Sequence, residues 1–226
     1  MKKYAVLVAG GNGTRMNSVI PKQFLLLQDK PVLFYTIASF LEAFADIKII
    51  LVLPKDYLET GQEIVQKYFP NHSNIFIASG GETRFHSVQN GLKLVADTSM
   101  VFIHDAVRCL VTPNLIKSSY EEALKHGNAI PYVISRDSVR IIDNNKSEII
   151  ERNKIALIQT PQVFFSNIIL TAFNIEYNPF FTDEASVVEA SGVEVKLIPG
   201  EHTNIKITNP VDLIVADKLL SERSVR

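Results

Sequence analysis

Tyr4-Ala5-Val6-Leu7-Val8-Ala9-Gly10-Gly11-Asn12-Gly13-Thr14-Arg15-Met16 is the stretch on which the fold turns. Its short apolar opening reads as a strand buried on both faces, and glycines follow without a break. Glycines placed there let backbone N–H groups curl around an anion with no Cβ in the way. In a parallel α/β sheet such a loop sits at the carboxyl edge of the strands, where ligands bind, so phosphate is the expected ligand. Arg15, and Lys22 of the following Pro21-Lys22-Gln23, add two cations beside an amide-lined loop. That pairing suits a triphosphate and the charge developing on it. Met16 stands where a dinucleotide fingerprint would need its third glycine, and the Gly-Lys-Ser/Thr ending of a P-loop is missing. Both of those nucleotide-binding families are therefore disfavoured.

Outward from this strand, runs rich in Val, Ile and Leu recur at residues 4–8, 47–53, 75–78, 100–104 and 129–133, and all read as buried strands. Segments 32–43, 57–68, 85–94 and 115–126 carry apolar residues at three- and four-residue spacing and read as helices. Alternation of this kind implies crossover connections, hence an α/β fold with a doubly wound, mostly parallel sheet. The pattern breaks at residues 135–154, which are polar and charged, with a turn-like Asp143-Asn144-Asn145-Lys146 between two Ile-rich runs. This predicts a protruding β-hairpin arm, and since a two-stranded hairpin is marginal alone in water, a second subunit is expected to cover it. Residues 166–175 and 183–191 are expected to be helical, 195–198 and 204–207 to be strands, and Pro210 to open a terminal helix. A single domain spanning 1–226 is expected, with 135–154 as a dimerisation arm and no fused second enzyme.

The 23 basic and 24 acidic residues nearly cancel, so neither nucleic acid nor an anionic membrane is expected as a partner. Any phosphate-binding field has to be local. The lone Cys109 cannot form an intramolecular disulfide, and the N-terminal apolar run is too short for a signal peptide, which together point to the cytoplasm. The histidines show no metal-ligand spacing, so no zinc site is expected.

Ala-Gly-Gly-x-Gly-x-Arg-Met followed by Pro-Lys-Gln is similar to the signature of sugar-phosphate nucleotidyltransferases. The order of further motifs narrows the resemblance. Gly80-Gly81-Glu82-Thr83-Arg84 with Ser87-Val88, His104-Asp105-Ala106-Val107-Arg108, Gln159-Thr160-Pro161-Gln162, Thr182-Asp183-Glu184 and Asn204-Ile205-Lys206-Ile207-Thr208 follow one another as in the methylerythritol phosphate cytidylyltransferases. The match spans nearly the whole chain. It implies a nucleotide-diphospho-sugar transferase-like fold, and transfer of the cytidylyl group of CTP to 2-C-methyl-D-erythritol 4-phosphate with release of pyrophosphate.

On that resemblance Ala9, Gly10, Gly11, Gly13 and Thr14 bind the nucleotide, and Arg15, Lys22 and Lys206 surround its α-phosphoryl group as the catalytic set. Lys206 lies inside an apolar run, where an ammonium needs a partner, and phosphate supplies one. The Gly80-Gly81-Glu82 turn follows the third apolar strand, and its backbone is expected to read the cytosine edge with help from Ser87. Asp105 ends the fourth apolar strand, and Mg²⁺ takes one or two carboxylates plus phosphate oxygens, so Asp105 is the expected metal contact. Thr203 stands where relatives often carry a second acid, and Glu201 is left to act through water. The acceptor is expected to meet Arg108, Ser138, Arg152 and Thr182, with Ser138 and Arg152 reaching across a homodimer from the partner's arm. Ser138 replaces a customary threonine and keeps its hydroxyl, while Cys109-Leu110 depart from a common proline. Two other readings stay open: the same chemistry on ribitol 5-phosphate, and a non-catalytic nucleotide-binding domain.

Overall fold

The computed structural model describes residues 1–10, 20–96, 98–144 and 146–223. The strands are β1 (Lys2–Val8), β2 (Leu26–Leu27), β3 (Lys30–Pro31), β4 (Lys48–Leu53), β5 (Ile75–Ser79), β6 (Ser99–Asp105), β7 (Asn128–Ile134), β8 (Val139–Asp143), β9 (Lys146–Ile150), β10 (Ala156–Ile158), β11 (Gln162–Phe165) and β12 (Leu197–Pro199). The helices are α1 (Val32–Ala43), α2 (Leu58–Tyr68), α3 (Arg84–Leu92), α4 (Pro113–His126), α5 (Ser166–Ala172), α6 (Glu184–Ala190) and α7 (Pro210–Arg223).

The main sheet runs β10-β7-β11-β6-β1-β4-β5, with β12 added beside β7. Strands β6, β1, β4 and β5 are mutually parallel, and β11 inserts antiparallel between β6 and β7. The period-two alternation of the central strands sorts their side chains into two cores. Ala5, Leu7, Ile49, Leu51 and Phe102 pack with Leu33, Ile37 and Phe40 of α1 and Leu115 and Ile116 of α4. Val6, Val8, Ile50, Val52 and Ile103 pack on the other face with Val88 of α3, Ile169 of α5 and Val187 of α6. Both faces are covered, which is why these strands read as unbroken apolar runs. A third, smaller core joins Val107, Leu110 and Ile207 to Ala216 and Leu220 of α7.

Local chemistry sets the helix ends. Thr83 caps α3 and Thr112 caps α4 by accepting from His86 and Leu115 N–H groups, each cap stabilising by about 1 kcal/mol. Gly127, at φ 86°, ends α4 in the left-handed conformation that glycine adopts without strain.

Residues 204–207 correct the expectation of a strand. They form no ladder, and Ile207 N–H donates to the Val107 carbonyl at 3.0 Å while Ile207 packs into the third core. The alternation that imitates a strand comes from an extended segment with one apolar side and Lys206 between. Strands β10 and β11 were not foreseen. The arm is a separate two-stranded sheet, with Val139 opposite Ile150 and Asp143 opposite Lys146. Among the described residues no helix is long and apolar enough to cross a membrane.

Candidate active site

The parallel register lines up the carboxyl ends of four strands, with Val8 beside both Val52 and Asp105, and Leu53 beside Ser79. The ladder continues one step further: Ala106 N–H donates to Val8, Ala9 N–H to Val52 and Gly80 N–H to Leu53. Ala9, Gly10, Gly80 and Asp105 therefore share one edge. Gly11, Gly13, Thr14 and Arg15, four of the expected loop residues, lie outside the described residues.

Ser87 shows why the two glycine turns are glycine. Its hydroxyl donates to the Thr83 carbonyl at 2.9 Å and accepts from Gly81 N–H at 3.1 Å, and the side chain is buried. A β-carbon would stand 3.0 Å from Ser87 Oγ at Gly10 and 3.1 Å from it at Gly80, and at Gly81 it would collide with His86. The backbone approaches this hydroxyl from Gly10 and from the Gly80-Gly81 turn. Glu82 is exposed at the tip.

Asp105 is the hub of the charged residues. Its Oδ1 accepts from Arg84 Nε at 3.1 Å, while Oδ2 lies 2.9 Å from Lys206 Nζ and 3.6 Å from Arg108 Nε. Burial alone would raise its pKa, but Arg84, Lys206 and Arg108 outweigh that and hold the carboxyl well below the usual range. Arg108 Nη1 donates to the Asn204 carbonyl at 2.8 Å, and the side chain is mostly covered. Asn204 in turn donates to the Thr160 carbonyl at 2.8 Å, which fixes the Lys206 segment against the sheet edge. Lys22 is buried, and its ammonium donates to the Ile207 carbonyl at 2.7 Å. Its neighbour Gln23 donates to Ala9 at 2.8 Å. The Pro-Lys-Gln segment thus ties Ala9, at the start of the first glycine turn, to the backbone carbonyl of the residue after Lys206.

Three residues not singled out for a role complete the arrangement. Glu184, fully buried at the start of α6, grips Arg84 with both oxygens, Oε2 accepting from Nη2 at 3.1 Å. His104 and Thr160 brace Asp105 from behind: Thr160 Oγ1 accepts from Asp105 N–H at 3.1 Å and lies 2.9 Å from His104 Nδ1. The Thr182-Asp183-Glu184 and Gln159-Thr160-Pro161-Gln162 motifs contain Glu184 and Thr160 but give no sign of what these two side chains touch. Thr182 lines a shallow cleft with Arg84, Phe85, Phe181 and Glu184. Ser138 and Arg152 are exposed on the arm, where Arg152 Nη1 donates to the Arg136 carbonyl at 3.3 Å. Neither shares a hydrogen bond or ion pair with the Asp105 group among the described residues.

Magnesium fits the donor set in one form. No group of three or more His, Cys, Asp or Glu converges among the described residues, so a metal caged by protein alone has no candidate ligands there. One firmly ionised carboxylate at the carboxyl edge of the sheet is the complement Mg²⁺ uses when nucleotide oxygens supply the rest.

Residues 4–222 match the family described as 2-C-methyl-D-erythritol 4-phosphate cytidylyltransferase. Curated proteins of that name from Bacteroides thetaiotaomicron and Bacteroides fragilis are 44% and 45% identical to the chain, each over 97% of it and 100% of their own length. Among solved structures, 4-diphosphocytidyl-2C-methyl-D-erythritol synthase from Anaerococcus prevotii superposes with TM-score 0.82 at 29% identity, covering 97% of this chain and 98% of that one. The 2-C-methyl-D-erythritol 4-phosphate cytidylyltransferase from Thermus thermophilus superposes with TM-score 0.78 at 27% identity, covering 98% and 100%.

Proposed function

The chain belongs to the 2-C-methyl-D-erythritol 4-phosphate cytidylyltransferase family, a nucleotidyltransferase of isoprenoid-precursor synthesis that joins CTP to that acceptor, and we propose that the cations gathered around Asp105 carry the transfer. The carrying observation is Lys206, held 2.9 Å from Asp105 Oδ2 beside the segment that Lys22 anchors. An oxygen of the acceptor phosphate attacks the α-phosphorus of CTP in line. The new P–O bond forms as the bridge to the β-phosphate breaks, and pyrophosphate leaves. The acceptor phosphate is already largely anionic at neutral pH, its second pKa being about 6, so no general base is needed. Lys22 and Lys206, with Arg15, neutralise charge that grows on the α-phosphoryl oxygens, and preorganised cations do so without reorganising.

The nucleotide sits along Ala9, Gly10, Gly11, Gly13 and Thr14, with its cytosine against Gly80, Gly81, Glu82 and Ser87. Asp105 would hold Mg²⁺, which when bound neutralises the leaving phosphates. Arg108 and Thr182 hold the acceptor from within the chain, and Ser138 and Arg152 from the partner's arm in a homodimer. The exposed Ile142 and Ile149 of the arm, with 79% and 78% of their surface open, support a protein partner there. We place the enzyme in the cytoplasm, where a single cysteine whose thiol burial pushes up to about 12 stays reduced and unreactive.

Pyrophosphate release with CTP and Mg²⁺ tests the assignment, with methylerythritol 4-phosphate and ribitol 5-phosphate compared as acceptors below saturation. Selective turnover of the first is expected. Selective turnover of the second would move the chain to polyol phosphate chemistry, and turnover of neither would leave a nucleotide-binding domain. Lys22→Ala is expected to lower turnover by roughly 10²-fold, the scale for losing a preorganised charge stabiliser.

A further inference from the structure

Glu184 has no part in the roles above, yet a fully buried carboxylate requires something to offset its lost hydration. Burial raises its pKa, and the Arg84 guanidinium counters that only in part. Helix α6 does not need Glu184 to dock. Asp183 caps it, accepting from Ser186 N–H at 2.9 Å, and Gln162 of β11 both accepts from Ala185 N–H at 2.8 Å and donates to Asp183 Oδ2 at 2.9 Å. What Glu184 adds is control of Arg84. A guanidinium carries its five N–H groups in one rigid plane, so a carboxylate clamped across both Nη atoms dictates where Nε points. Nε points at Asp105 Oδ1, 3.1 Å away, while Lys206 holds the other oxygen. Charge thus alternates from Glu184 through Arg84 and Asp105 to Lys206.

We propose that Glu184 is a positioning residue for the transfer: by clamping Arg84 it orients the Asp105 carboxylate, and through it the Lys206 ammonium. The proposal rests on the reading of Asp105 and Lys206 given above. Without the clamp, the Nη fork of Arg84 is free to turn onto Asp105 in bidentate fashion and compete with Lys206 for it. The cytosine turn at Gly80, Gly81 and Ser87 is built by other contacts, so CTP binding is spared while the chemical step suffers.

The test is a double-mutant cycle of Glu184→Gln with Arg84→Met, read as kcat, KM for CTP and melting temperature, with Asp105→Asn as control. Glu184→Gln is expected to lower kcat at least about 10-fold, the cost of misplacing a catalytic group by a fraction of an ångström, with KM for CTP changed less than about twofold. In the Arg84→Met background the same substitution is expected to do nothing more to kcat, and Glu184→Asp is expected to recover part of the loss because it keeps the charge. An equal loss in both backgrounds overturns the proposal, since Glu184 would then act without Arg84. So does a Glu184→Gln enzyme of normal kcat while Asp105→Asn is inactive. An Asp105→Asn enzyme of normal kcat would instead sink the underlying site reading, and the proposal with it. Should Glu184→Gln fail to fold, Glu184→Asp carries the cycle with the same expectations of coupling.

Discussion

His104 shows how one residue's protonation supports a neighbouring site. Its ring is fully buried beside Phe40, with Nδ1 2.9 Å from the Thr160 hydroxyl and Nε2 3.3 Å from the Arg108 carbonyl. A carbonyl only accepts, so Nε2 carries the proton and Nδ1 accepts from Thr160, which fixes the neutral tautomer. Burial pushes the pKa down to about 3, although Asp105 pulls the other way. A depressed folded pKa means the unfolded chain takes up a proton that the native state refuses. The stabilisation is therefore complete above the unfolded value of 6.5 and is lost as pH falls toward 3. Within that window the slope approaches about 1.4 kcal/mol per pH unit. Glu184, with a raised pKa, works in the opposite sense, its contribution being lost as pH rises through the folded value. Comparing wild type with His104→Gln cancels Glu184 and isolates the histidine. The variant is expected to be less stable at pH 7 yet to lose about 1–2 kcal/mol less between pH 7 and pH 5 in urea unfolding. An equal loss in both proteins would mean that His104 is not held neutral.

Among the elements, α6 depends on its first turn, because seven residues give it little stability of its own. Asp183 uses Oδ1 for Ser186 N–H and Oδ2 for the buried Gln162 amide. Asp183→Ala removes the cap and strands that amide, so a loss of about 1–3 kcal/mol is expected in thermal or urea unfolding. Asp183→Asn is expected to fall between, since its carbonyl still caps Ser186 but its NH₂ faces the NH₂ of Gln162. Flipping Gln162 would only set its NH₂ against Ala185 N–H. The same stretch shows what sequence leaves illegible. The central parallel strands and helices α1 to α4 were readable because burial on two faces produces long apolar runs and burial on one helical face a 3.6-residue period. Strand β11 was hidden because Gln162, at its first position, is polar and fully buried in service of α6, a job that propensity cannot reveal. Residues 204–207 misled in reverse, since Ile205 and Ile207 pack into the third core while Lys206 between them turns to Asp105, which mimics strand alternation. At the site, the motif order brought out Asp105, Lys206, Lys22, Ser87, Gly10 and the Gly80-Gly81 turn, which the fold gathers at one edge. Glu184 and Thr160 act on other protein groups rather than on a ligand, so their roles emerged only from contacts.

Across the whole molecule, one region lacks a core of its own. The β8–β9 hairpin forms a sheet of two strands, and the pairs Arg140 with Ile149 and Ile142 with Ser147 put the two most exposed isoleucines of the arm, Ile142 and Ile149, on one face. Two such strands are marginal in water, so the arm's apolar face requires cover, and a second copy offering the same face is the simplest symmetric solution. If the arm also completes the partner's acceptor site through Ser138 and Arg152, assembly and activity must fall together. The double variant Ile142→Asp with Ile149→Asp is therefore expected to sediment as a monomer where wild type sediments as a dimer. Its turnover is expected to drop roughly 10²-fold, as when substrate-positioning groups are withdrawn, with the melting of the main domain little changed. A monomeric wild type, or a monomeric variant with full turnover, would show that each chain's site is complete by itself and that Arg152 belongs to the arm's surface alone.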